Sequence, residues 1–91
     1  MTEDYGRFSF RYCHDVENLG KVRIYIQRQP DYGGRLTDFS YTHRLPSGGG
    51  APLHICIKAE FLPSTFEDAQ RYAHRWARCT ENYIRTGIFG D

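Results

Sequence analysis

The chain has 91 residues, 40% of them hydrophobic and 15% aromatic, with a formal net charge of +1. It is too apolar for a disordered segment and too weakly basic to mark a nucleic-acid binder by bulk charge. Three cysteines (Cys13, Cys56, Cys79) with no Cys-x-x-Cys pair exclude a disulfide framework. The acidic, polar start is no secretory leader, and no apolar run has membrane-spanning length, so one cytoplasmic domain over residues 1–91 is expected.

Residues 1–6 read as a loose lead-in. Residues 7–13 alternate with period two, setting Phe8, Phe10 and Tyr12 against Arg7, Ser9, Arg11 and Cys13, the pattern of a half-buried strand. Residues 14–20 are polar and form a turn, with Val16 and Leu19 folding back over the core edge. Residues 21–27 alternate again, with Val22, Ile24 and Ile26 inward and Lys21, Arg23, Tyr25 and Gln27 outward. The two runs predict an antiparallel hairpin, ended by Pro30, which has no N–H for a ladder. Residues 29–36 hold Pro-Asp-Tyr-Gly-Gly-Arg, a compact loop. Its Tyr32 and Arg35 are candidate ligand contacts beside two glycines that permit close backbone approach.

Residues 38–45 read as a weaker strand, with Phe39, Tyr41, His43 and Leu45 inward and Asp38, Ser40, Thr42 and Arg44 outward. Residues 46–52, with three consecutive glycines, form a flexible turn. Residues 53–59 make another strand, with Leu53, Ile55 and Ile57 inward and His54, Cys56 and Lys58 outward, so a second hairpin is expected.

Residues 64–87 carry the one long helical pattern. Ser64, with Glu67 three residues on, fits a capping box, and Gly87 fits the stop. Phe66, Ala69, Ala73, Trp76, Ala77, Thr80, Tyr83 and Ile84 share a face, while Arg71, His74, Arg75, Arg78, Asn82 and Arg85 share the other. Glu67–Arg71 and Glu81–Arg85 have the spacing of helical ion pairs. The fold class is therefore α+β, in the order β-β-β-β-α: a four-stranded antiparallel sheet with one long C-terminal helix on one face.

One helix covers one face of such a sheet. The open face would carry Arg7, Arg11, Lys21, Arg23, Arg44 and Lys58, with Tyr25 and His54, against little but Asp38. Basic side chains on a sheet can track phosphates, so a non-enzymatic module contacting nucleic-acid backbone is the leading expectation. The same charges are also ordinary for solvated strands. The rival is a protein-interaction module, such as an inhibitor of a host complex or a homodimer through the open face. It is favoured by the near-neutral charge and a spare Phe89. A third reading is a small RNA-cleaving toxin using His54, flanked by Arg44 and Lys58. No residue pattern fixes a base together with its orienting group. Cys13, His54 and Cys56 project outward and suit zinc by type, but zinc needs four ligands and a simple meander keeps the first and last strands apart. Neither metal nor cofactor is expected.

The segment Gln29-Pro-Asp-Tyr-Gly-Gly-Arg, the run Thr42-His43-Arg44-Leu45, and residues 69–87 with Trp76 and Tyr83-Ile84-Arg85-Thr86-Gly87 together resemble short bacterial proteins found near mobile elements. The resemblance implies a phage- or plasmid-linked setting and brings no activity with it. By architecture the expected fold is also similar to small domains that lay a sheet in the DNA major groove, which is analogy of fold alone.

Overall fold

The two clean alternations become the centre of the sheet. In the computed structural model, which describes residues 1–90, they form β2 (Phe8–His14) and β3 (Val22–Arg28), paired antiparallel with a bulge between Ser9 and Phe10. Their inward residues Phe8, Phe10, Tyr12, Val22, Ile24 and Ile26 are all buried.

The sheet has five strands rather than four, in the order β1 (Thr2–Tyr5), β2, β3, β5 (His54–Ile55) and β4 (Arg44–Leu45). The additional one is β1 (Thr2–Tyr5), in the stretch expected to be loose. Its alternation is polar, so it has no hydrophobic signature. It is held instead by Glu3, which accepts from Tyr12 Oη at 2.7 Å and Gln70 Nε2 at 3.1 Å and meets His74 Nε2 at 2.9 Å. Tyr5 stacks on the His74 ring at 4.0 Å.

The helix runs as α2 (Phe66–Thr86). Thr65, not Ser64, is the N-cap, and its Oγ1 accepts from the Asp68 N–H at 3.0 Å. Gly87 closes the other end in the left-handed region at φ 83°. Most of the face expected to be core is core: Ala69, Ala73, Trp76, Ala77, Thr80 and Tyr83 are buried, while Phe66 and Ile84 at its ends are half-buried. The Trp76 ring meets Phe8 and Phe10 edge-on at 5.6 and 6.0 Å. Packed edge-to-face aromatics add about 0.5–1.5 kcal/mol per pair beyond their buried area. Arg71 pairs with Glu67, as the spacing suggests, and with Asp68. Glu81 does not pair with Arg85. It takes Arg7 from across the fold, and Arg85 donates to Asn82.

Residues 38–45 depart most from expectation. They begin as a single helical turn, α1 (Phe39–Thr42), followed by His43 in the left-handed region at φ 53°. Only Arg44–Leu45 (β4) and His54–Ile55 (β5) then pair as strands. A helical turn plus one left-handed residue reverses the phase of the alternation. Arg44 shares the helix side with its partner Ile55, and Leu45 shares the open side with His54. A 3₁₀ turn (Ala59–Phe61) leads on toward α2. Among the described residues no helix is long and apolar enough to cross a membrane.

Candidate nucleic-acid interface

The helix packs on the side of Phe8, Phe10, Ile24 and Ile55 and leaves the other side uncovered by any helix; there Arg11 is exposed, Arg23 and Tyr25 are half-buried and His54 is buried. Residues directly opposite across paired strands point to the same face. The register therefore sets one row across the open side: Thr2, Arg11, Tyr25, His54 and Leu45, from β1 through to β4. The centre of that row is tightly arranged. The Arg11 guanidinium lies over the Tyr25 ring at 5.0 Å, and Tyr25 meets the His54 ring edge-on at 6.2 Å. A guanidinium over an exposed ring gains roughly 0.5–1 kcal/mol and keeps its N–H groups available at the ring's rim.

Beside this row lies a cleft of about 430 Å³, whose walls include Asp15, Val16, Glu17, Arg23, Ser47 and His54 as well as Tyr25. The β2–β3 turn builds one wall. Asp15 Oδ2 takes Arg23 Nη2 at 2.6 Å, while its carboxylate also accepts from the Glu17 N–H and from Asn18 Nδ2. Burial alone would raise the Asp15 pKa, but these hydrogen bonds and the Arg23 charge hold it down to about 2. The 46–52 turn builds the other wall, where Ser47 Oγ lies 2.9 Å from His54 Nδ1. Burial and then the Arg23 charge depress the His54 pKa, with Asp15 opposing.

The residues expected on the basic face do not all reach it. Arg11, Arg23 and Tyr25 do. Arg7 falls in the β1–β2 turn, outside both strands, and reaches to Glu81 on α2. Lys21 also turns away, toward Ser64 before α2 at 3.3 Å. Lys58 is exposed but lies beyond β5, just before the 3₁₀ turn. Arg44 is 7% exposed and donates to Thr42 Oγ1, Gln29 Oε1 and the Thr37 carbonyl. Its guanidinium also lies over Tyr32 and Phe39 at 4.9 and 5.9 Å.

Tyr32 and Arg35 likewise face inward to the fold. Tyr32 is buried and donates to Gln29, and burial raises its pKa. Arg35 donates to the Ile84 and Arg85 carbonyls, closing the C-terminus of α2. The loop of residues 29–36 is thus a clamp on the helix end.

Three contributors were not legible as site residues. Arg28, at the end of β3, is exposed, donates to the Arg7 and Phe8 carbonyls and pairs with Asp4 at 3.9 Å. Asp15 and Ser47 read only as turn residues: Asp15 acts through the hairpin pairing that brings Arg23 to it, and Ser47 through the placing of His54 on β5. For metal binding, Cys13 and the pair His54 and Cys56 stand on opposite sides of β3, and no group of three or more metal-ligating side chains gathers among the described residues.

Comparison of the chain with family models, curated proteins and solved structures finds no match.

Proposed function

We propose that the open sheet face binds single-stranded nucleic acid through its sugar–phosphate backbone. The carrying observation is the Arg11–Tyr25 stack at the lip of a cleft that also holds Arg23. A volume of about 430 Å³ suits a nucleotide-sized group. Arg11 and Arg28 supply exposed cations, and Arg23 is held rigid by Asp15. A phage- or plasmid-linked setting is compatible with such a module. Fluorescence anisotropy with a labelled strand of about 12 nucleotides of mixed sequence tests this. Arg11→Gln and Arg28→Gln should each weaken binding about 3- to 10-fold, as expected for a lost charge-assisted contact. Arg71→Gln, on the helix face, should leave it unchanged. Absence of binding, or equal affinity for all four proteins, removes the proposal.

A second reading rests on Val16 and Leu19, which are 88% and 90% exposed instead of folding back on the core. They sit on the turn that Asp15 and Arg23 hold rigid, and a fixed pair of aliphatic side chains in water suits a protein partner. Leu19→Ser, outside the cleft, should weaken such an interaction without altering nucleic-acid affinity.

A further inference from the structure

We infer that the cleft also cleaves the RNA it holds, with Nε2 of His54 as the general base. This rests on the nucleic-acid reading above and adds a chemical step to it.

The protonation of the ring follows from counting hydrogens. Ser47 Oγ lies 2.5 Å from the Pro52 carbonyl oxygen, which can only accept. The single hydroxyl proton is therefore spent there. Toward His54 Nδ1, Ser47 offers a lone pair, so Nδ1 carries the proton and donates at 2.9 Å. The neutral ring is then bare at Nε2, the tautomer a general base needs. His54 is 9% exposed, but its ring lines the cleft, and Nε2 makes no hydrogen bond to protein among the described residues.

The surroundings match the task. Tyr25 fixes the ring from one side and Ser47 from the other, so the orienting group missing from the sequence pattern is present. Arg23 shares the cleft and spends Nε and Nη2 on Asp15, leaving Nη1 for a phosphate oxygen. Burial beside that guanidinium keeps the imidazole neutral near pH 7.

With an RNA phosphodiester in the cleft, Nε2 removes the proton of the ribose 2′-hydroxyl. The 2′-oxygen forms a bond to phosphorus as the bond from phosphorus to the 5′-oxygen breaks. The leaving 5′-oxygen keeps the electron pair and takes a proton from water. The hydroxide so formed is neutralised by the proton on His54. The products are a 2′,3′-cyclic phosphate and a 5′-hydroxyl, with no oxidant, reductant or metal required. DNA lacks the 2′-hydroxyl and would be bound intact.

The test uses end-labelled RNA of mixed sequence for cleavage and the same sequence in 2′-O-methyl form for binding. Wild-type protein should cut the RNA to cyclic-phosphate ends and leave the 2′-O-methyl strand and DNA intact. His54→Asn keeps a donor for Ser47 but removes Nε2. It should lose about 100-fold or more in cleavage while binding the 2′-O-methyl strand within about 3-fold of wild type. Ser47→Ala, which frees the ring without removing it, should lose about 10-fold. Wild-type protein that binds the 2′-O-methyl strand but leaves RNA intact overturns the inference and spares the binding proposal. Cleavage undiminished in His54→Asn overturns it as well. Failure to bind the 2′-O-methyl strand overturns both.

Discussion

Arg23 delivers two N–H groups, from Nε at 3.1 Å and Nη2 at 2.6 Å, to one oxygen of Asp15 across the base of the β2–β3 turn. That pair sets the protein's response to acid. The Asp15 pKa lies at about 2 in the fold against 3.8 for the free side chain. A depressed carboxyl stabilises the fold above its unfolded pKa, and the benefit is lost as pH falls from about 4 to 2. Allowing for screening by water, Asp15→Asn should cost about 1–2 kcal/mol at pH 7 and flatten that acid limb. Urea titrations from pH 7 to pH 2 measure it, and an unchanged limb contradicts the role given to the pair.

His54 adds an earlier step of the same sign. Its pKa is lowered below 6.5 in the fold, so the unfolded chain takes up the proton first. Stability should begin to fall as pH drops below about 6.5, and His54→Asn should remove that step alone. NMR titration of the ring checks the cause: a midpoint at or above 6.5 contradicts it.

Gly87 ends α2 at φ 83°, and a Cβ there would come within 3.1 Å of Arg35 Nη1. Gly87→Ala thus meets two costs, a left-handed alanine and a displaced clamp on the last helical carbonyls. It should lose about 1–2 kcal/mol from the backbone term. Circular dichroism should show Tm lowered by about 4–15 °C, and an unaltered Tm contradicts the clamp.

Trp76 joins α2 to α1 as well as to the sheet, because its Nε1 donates to the Thr42 carbonyl at 3.1 Å. Trp76→Ala should cost about 3–5 kcal/mol. Trp76→Phe keeps most of the packing but strands a buried carbonyl, a loss of about 1–3 kcal/mol. Equal stability of wild type and Trp76→Phe by chemical denaturation would show that the bond carries nothing.

Arg44 and Arg11 should separate cleanly. Arg44→Leu deletes three hydrogen bonds in a buried site and should cost about 2–3 kcal/mol. Arg11→Gln should change stability by less than about 0.5 kcal/mol, as an exposed residue does. The opposite ranking in thermal melts would contradict the assignment of one to the fold and the other to the surface.

These residues also show what local pattern can and cannot reveal. β2, β3 and α2 were legible because each repeats its apolar period over several turns or pleats, and the helix carries its own caps. Residues 38–45 alternate too, yet they begin as a helical turn and only Arg44–Leu45 joins the sheet. The reason is distant in sequence: Tyr32, Gln29 and Trp76 supply the partners that bury Arg44 and Thr42. β1 was missed because Glu3, its key residue, bonds to Tyr12, Gln70 and His74 rather than packing apolar surface. The Arg11–Tyr25–His54 row was half legible. Each residue could be assigned to the outer face, but their adjacency depends on β5 crossing to lie beside β3. Ser47, which orients His54, could not be singled out from a glycine-rich turn.

The most direct test of the open face is the salt dependence of its affinity for a mixed-sequence single strand, with Arg11→Gln alongside. About three neutralised phosphates should give a slope of log K against log salt near −2, reduced by about 0.7 when Arg11 is replaced. A slope near zero, or one that Arg11→Gln leaves unchanged, would contradict backbone contact through this face.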